Sequence, residues 1–239
     1  MPDTSTGWFV TGTDTGVGKT YVCRLLLAAL CRAGHRAVGY KPVCCGSRAD
    51  ATLLREAGAG GPALNEINPL WFRAPMSPLA AGRIEDRIAD LDALVEGYRL
   101  LATRFDGVVV EGAGGWKAPL TPGATMADLA LRLNLPVLVV THNRLGALNH
   151  TLLTVESILA AGLTCSGVIL NQVEETRDAA SIANRSILEE FLPVPVLGEI
   201  LHGNDALGFE FAGLGLRRAS PLSFRARSAL AREGDSGHR

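Results

Sequence analysis

Residues 12–20, Gly-Thr-Asp-Thr-Gly-Val-Gly-Lys-Thr, constrain this chain more than any other stretch. They follow a short apolar run, Trp8–Thr11, that reads as a strand. They open a periodic apolar run from about Lys19 to Arg32 that reads as a helix closed by Gly34. A strand, a glycine loop and a helix beginning Lys-Thr form a cradle for phosphate: backbone N–H groups surround the anion and the helix presents its positive end. The usual pattern is G-x-x-x-x-G-K-[ST]. Here the spacing from Gly12 to Gly18 is one residue longer, and Thr13 stands where the first glycine belongs. Gly16 and Gly18 still permit close backbone approach. On this reading Lys19 reaches β- and γ-phosphate oxygens and Thr20 offers a hydroxyl to Mg²⁺.

The rest of the chain repeats the strand-then-helix order. Ala37–Val43, Gly107–Glu111, Pro136–Thr141, Gly167–Asn171 and Pro195–Ile200 read as strands, and the middle three show the unbroken apolar character of strands buried on both faces. Helical patterns span Leu91–Thr103, Met126–Leu133, Leu148–Ala161 and Ala179–Phe191. The expectation is an α/β, P-loop NTPase-like domain: a mostly parallel sheet with helices on both faces. Gly58–Pro78 is expected to be a long irregular connection, and its Ala74-Pro-Met-Ser-Pro78 segment cannot be regular helix. One domain is expected over residues 1–225. The composition of 226–239 points to a disordered tail.

Of 239 residues, 47% are hydrophobic, enough for one generous core. The formal net charge of −1, from 23 basic and 24 acidic side chains, gives no footprint for nucleic acid or an anionic membrane. No signal segment and no membrane-length apolar run is visible. The five cysteines (Cys23, Cys31, Cys44, Cys45, Cys165) lack metal-site spacing and read as reduced thiols of a cytoplasmic protein. Cys23 and Cys31 are expected to face the core of the first helix.

Three side chains outside the loop invite chemistry. Glu111 ends the strand Val108-Val-Val-Glu111 and precedes Gly112-Ala-Gly-Gly115. A carboxylate at the carboxyl end of a parallel strand points into the crevice where such sheets bind ligands, which suits a metal. Asp50 fits either a helix cap or a metal ligand. Lys41 lies near the carboxyl end of an apolar strand, where it meets either an anion in the crevice or, as Pro42 favours, water at a sheet edge.

Together these segments resemble the dethiobiotin synthetase family, ATP-dependent ligases that close the ureido ring in biotin biosynthesis. The likeness runs from Trp8 to about Glu199. It rests on Phe9-Val-Thr-Gly-Thr-Asp-Thr-Gly-Val-Gly-Lys-Thr20, Tyr40-Lys-Pro-Val43, Val110-Glu-Gly-Ala-Gly-Gly-Trp116, Leu145-Gly-Ala-Leu-Asn-His-Thr151 and Gly167-Val-Ile-Leu-Asn171. The longer loop spacing is itself a family feature.

The resemblance implies that ATP, CO₂ (as bicarbonate) and 7,8-diaminononanoate are the substrates and Mg²⁺ the cofactor. Lys41, Lys19 and Thr15 would be the catalytic set. Thr20, Asp50 and Glu111 would hold Mg²⁺. The nucleotide would meet Gly16, Val17, Gly18, Lys19, Thr20, Tyr21, Asp50, Glu111, Gly112, Ala113 and Gly114, with Asn171, Gln172, Leu201, His202 and Gly203 around adenine. Thr15, Lys41, Cys45 and Gly115 would face the diamine. Its acid tail would be held by Gly146, Leu148 and Asn149 of a second subunit in a homodimer.

Two departures stand out: Cys45 replaces the family's usual small hydroxyl residue, and Gly198-Glu-Ile200 continues as Leu201-His-Gly203 where the family places proline. A thiol is a weaker donor than a hydroxyl. Two other classes compete. Cobyrinate-type amidoligases carry a glutaminase domain, which is not expected within these 239 residues. Switch ATPases of the MinD or partitioning type carry K-G-G-x-G-K-T, and here Asp14 and Thr15 fill the early lysine and glycine positions.

Overall fold

The computed structural model describes residues 6–204. The expected tail lies outside them. The strand before the glycine loop, β1 (Thr6–Gly12), runs through the middle of a sheet, followed by α1 (Lys19–Arg32). Next come β2 (Ala37–Tyr40), β3 (Val43–Cys45), α2 (Ala49–Ala57), α3 (Leu64–Ile67), β4 (Leu70–Phe72), α4 (Pro78–Ile84) and α5 (Leu91–Ala102). The chain continues through β5 (Gly107–Gly115), β6 (Pro119–Thr121), β7 (Ala124–Thr125), α6 (Met126–Leu133), β8 (Val137–His142), α7 (Ala147–Ala160), β9 (Cys165–Asn171), α8 (Ala179–Phe191) and β10 (Val196–Ile200). Six strands form one parallel sheet in the order β10-β9-β8-β1-β5-β2. The loop after β1 therefore opens at the carboxyl edge, beside the point where strand order reverses, the ligand crevice of such sheets.

Alternation along the strands divides the interior in two. Phe9, Val108, Val110, Val137 and Val139 face a core closed by α5, α6 and α7. Trp8, Val10, Val109, Leu138 and Val140 face the opposite side, closed by α1 and by Leu54 of α2. Leu26, Leu27 and Leu30 carry most of the α1 contact and are buried completely or nearly so. Each contributes about 1.5–3 kcal/mol by burial, and Leu26→Ala would cost roughly 2–5 kcal/mol through the cavity it leaves. Helices are placed by local chemistry: Asp90 accepts from the Asp92 and Ala93 amides to start α5, and Asp128 reaches back to the Thr125 amide at 2.7 Å to start α6.

Three expectations change. Ala37–Val43 is not one strand: pairing with β5 stops at Tyr40, and after Lys41-Pro42 the chain joins β4 in a separate parallel pair. Proline has no N–H to continue the ladder. The strand through Glu111 does not end there but runs on to Gly115, pairing Gly12 with Gly115 after a bulge. Gly58–Pro78 contains α3 and β4 rather than only loop; Glu66 accepts from the Ala63 amide at 2.7 Å, and the two elements are too short to show a period. Residues 74–77 are non-helical as expected, but Pro78, counted with them, opens α4, where proline needs no N–H partner and Ser77 supplies the cap. Cys23 is fully buried, while Cys31 is only half-buried at the margin of the second core; all five cysteines are free thiols. Among the described residues no helix is long and apolar enough to cross a membrane.

Candidate active site

The glycine loop turns from β1 into α1 through Gly16 (φ 76°) and Gly18 (φ 89°). A side chain at Gly18 would be strained by its backbone and would also strike Asn171, whose Nδ2 lies 2.0 Å from the Cβ position. No side chain caps α1, so its first amides remain available to an anion. Lys19 folds back over the loop and donates to the Asp14 carbonyl at 3.0 Å. It is buried, and that burial, reinforced by the nearby charge of Lys41, lowers its pKa to about 8. An anion in the cradle would reverse that shift.

Lys41 and Glu111 meet beneath this loop. Lys41 is 4% exposed and Glu111 fully buried. The Lys41 Nζ donates to Glu111 Oε1 at 2.5 Å and to the Gly112 carbonyl at 3.2 Å, with Asp50 Oδ2 at 3.3 Å. Burial alone would depress the Lys41 pKa. Glu111, and after it Asp50, outweigh that and raise it, so Lys41 stays charged. Lys41 is thus buried against the carboxylates of Glu111 and Asp50 rather than facing water, and Asp50 sits inside the first turn of α2 rather than capping it.

Thr20 Oγ1 donates to the same Glu111 Oε1 at 2.8 Å. Glu111 Oε2, however, is buried without a partner. A buried carboxylate oxygen left open beside a hydroxyl and a second carboxylate fits a small hard cation, with phosphate oxygens and waters completing the shell. Thr20, Asp50 and Glu111 are thus compatible with Mg²⁺.

A cavity of about 820 Å³ extends from the loop toward α7. Thr15, Lys41, Cys45, Asp50 and Gly115 line it, as do Ala113 and Gly114. Burial pushes the Cys45 thiol up to about 11, so it faces the cavity as a neutral group. Sequence reasoning missed Ser47, Pro75, Met76, Thr154 and Ser157 on the same wall. The irregular composition of residues 74–78 was the only signal for that segment; Thr154 and Ser157 are helix positions with no signal of their own.

At the other end of the sheet edge, Asn171 Nδ2 donates to the Val17 carbonyl at 2.9 Å, tying β9 to the loop. Gln172 donates to the Glu174 and Thr176 carbonyls, and its buried Oε1 has no partner. His202 Nδ1 lies 2.7 Å from the Val173 carbonyl, and the Tyr21 hydroxyl donates to the Asn204 carbonyl. Leu201, His202 and Gly203 are exposed. These groups form a rim near α1 at the carboxyl ends of β9 and β10. Gly146, Leu148 and Asn149, by contrast, are not brought to the cavity: Gly146 (φ 90°) starts α7, and Leu145 is 80% exposed.

A parallel sheet switching order beside a glycine loop, with a lysine and threonine opening the next helix, defines a P-loop nucleotide-binding enzyme fold. The fold resemblance agrees: the septum site-determining protein MinD from Pyrococcus horikoshii, solved with Mg-ADP, superposes with a TM-score of 0.54 at 17% identity, covering 82% of each chain. That likeness is one of fold alone. Residues 6–205 match a family described as AAA domain. An ATP-dependent dethiobiotin synthetase of Akkermansia muciniphila is 46% identical over 203 residues, 85% of this chain and 95% of the relative. That of Anaeromyxobacter dehalogenans is 46% identical over 212 residues, covering 84% and 95%. The chain belongs to the dethiobiotin synthetase family and is an enzyme of that family.

Proposed function

We propose that this enzyme uses ATP and Mg²⁺ to carboxylate 7,8-diaminononanoate with CO₂ and close the ring to dethiobiotin, releasing ADP and phosphate. The observation that carries this reading is the buried Lys41 ammonium between the phosphate loop and the cavity, bound to Glu111 and facing Asp50. One amine of the substrate adds to CO₂ and loses a proton, giving a carbamate. A carbamate oxygen attacks the γ-phosphorus and the bond to ADP breaks, leaving a mixed carbamic–phosphoric anhydride. The second amine attacks its carbonyl carbon, phosphate departs with the bonding pair, and the amine proton is lost.

The carbamate and γ-phosphate repel each other, so catalysis here is largely positioning and charge compensation. Lys41 holds the carbamate and the transferring phosphoryl group, and Lys19 holds the β- and γ-phosphates. Thr20, Asp50 and Glu111 hold Mg²⁺, which when bound offsets phosphate charge. Thr15 and Cys45 face the reacting amines, and Gly112–Gly115 allow close backbone approach. Asn171 and Gln172 read adenine, with Leu201, His202 and Gly203 beside it. The exposed Gly146 and Asn149, with the half-buried Leu148, serve the acid tail of the substrate in the cavity of a second copy, the two chains forming a homodimer. The test supplies diaminononanoate, bicarbonate, Mg²⁺ and ATP, and measures dethiobiotin by mass spectrometry. Product is expected from the wild type and lost in Lys41→Ala; a folded, ATP-binding wild type that forms no dethiobiotin contradicts the proposal.

A further inference from the structure

Lys41 leaves the central sheet with backbone groups that the ladder can no longer satisfy, because Pro42 ends the pairing of β2 with β5. Both groups are nevertheless met, from one short segment. The Lys41 amide donates to the Ile67 carbonyl at 2.8 Å, and the Lys41 carbonyl accepts from Asn68 Nδ2 at 2.8 Å. The same Nδ2 donates to the Leu70 carbonyl at 2.9 Å, so both amide hydrogens of Asn68 are engaged. Asn68 is 1% exposed.

Asn68 is itself gripped. Its Oδ1 accepts from Arg48 Nε at 3.0 Å, while Arg48 Nη2 donates to the Asn68 carbonyl at 2.9 Å and to the Leu64 carbonyl at 3.2 Å. The guanidinium lies over Trp71 at 5.8 Å, and Trp71 Nε1 donates to the Gly46 carbonyl at 2.7 Å. Arg48 also precedes α2 directly, and Asp50 in the first turn of that helix faces Lys41. One side chain pair therefore joins the backbone of the lysine to the helix that carries its second carboxylate.

We propose that Asn68, held by Arg48, is a positioning residue: it fixes Lys41 and Asp50 relative to each other beside the phosphate loop. This rests on the reading of Lys41 as the group that holds the transferring phosphoryl. The chemistry demands an amide. Two carbonyl oxygens need two donors in one plane and the guanidinium needs an acceptor; Asp has the acceptor and no donor, and Ala has neither.

The test uses Asn68→Ala, Asn68→Asp and Arg48→Lys in the full chain. Asn68→Ala is expected to lower kcat about a hundredfold, the cost of roughly an ångström of misplacement, with KM for ATP changed less than about threefold. Arg48→Lys keeps the charge and loses the fork, and should lower kcat about tenfold; it decides the matter if the Asn68 variants do not fold. A second readout is independent of turnover: acylation of lysines by an acyl-phosphate derivative of ATP, read by peptide mass spectrometry with Lys19 as internal reference. The Lys41-to-Lys19 labelling ratio should change at least about threefold in the variants. A folded variant with wild-type kcat and an unchanged ratio overturns the proposal, as does a loss of turnover that merely tracks lost ATP binding and a lowered Tm. If the wild type makes no dethiobiotin, the functional reading fails while the labelling ratio still judges the clamp.

Discussion

Removing Lys41 should separate what the buried ion pair does for the fold from what it does for the reaction. Lys41→Met keeps the apolar stem and deletes the ammonium that bonds Glu111 Oε1 at 2.5 Å. Glu111 is fully buried, and its Oε2 has no partner. Breaking a buried pair by removing one member costs about 3–5 kcal/mol, since the remaining charge is stranded. Thr20 still donates to Oε1, which places this site at the lower end of that range. For a chain of this length about 3 kcal/mol corresponds to a fall in Tm on the order of 10 °C. The double variant Lys41→Met with Glu111→Gln removes both charges and keeps an acceptor for Thr20, so most of the loss should be recovered, leaving roughly 1 kcal/mol. Equilibrium urea unfolding of the four proteins in the cycle gives the coupling energy, expected to exceed about 2 kcal/mol. Both variants should lack synthetase activity, whatever their stability. A single variant as stable as the wild type, or a double variant no more stable than the single, would refute this account of the pair.

Other expectations follow from the same geometry. Glu111→Gln should raise the Mg²⁺ concentration needed for half-maximal activity; a metal titration superimposable on the wild type removes Glu111 from the metal site. Lys19 titrates near 8 in the free enzyme, and bound phosphates raise its pKa, so ATP binding takes up a proton above that pH. Affinity is then greatest below about pH 8 and falls by up to about tenfold per pH unit above it. Calorimetry in buffers of different ionisation heat counts the proton, and Lys19→Met should abolish the uptake. Gly18→Ala forces a side chain onto a left-handed backbone and against Asn171, and should weaken nucleotide binding at least about tenfold. ATP affinity within twofold of wild type in that variant would show that the loop tolerates the shift.

Most of the sheet was legible because buried parallel strands write themselves as unbroken Val, Ile and Leu runs, and the matching helices carry caps and apolar periods. What failed was short or tertiary in origin. β3 and β4 pair over three residues each, and α3 has four, below the length at which any period shows. Pro42 favoured a sheet edge, but the expected strand ran through it to Val43, and no local pattern showed that the chain would regain hydrogen bonds from Asn68, a contact across 27 positions. In the site, Lys19 and Thr20 follow from the loop alone. The meeting of Lys41 with Glu111 depends on β2 lying beside β5, which no local pattern specifies. Thr154 and Ser157 line the cavity only because α7 crosses above it.

The central claim is that this site joins one carbon to two amines at the expense of one ATP. A single-turnover reaction with ¹³C-bicarbonate, diaminononanoate, Mg²⁺ and ATP tests it most directly, following ¹³C and phosphate together. The account predicts dethiobiotin labelled at the ureido carbonyl, with one ADP and one phosphate per ring. Phosphate release from the folded enzyme without labelled dethiobiotin would contradict it.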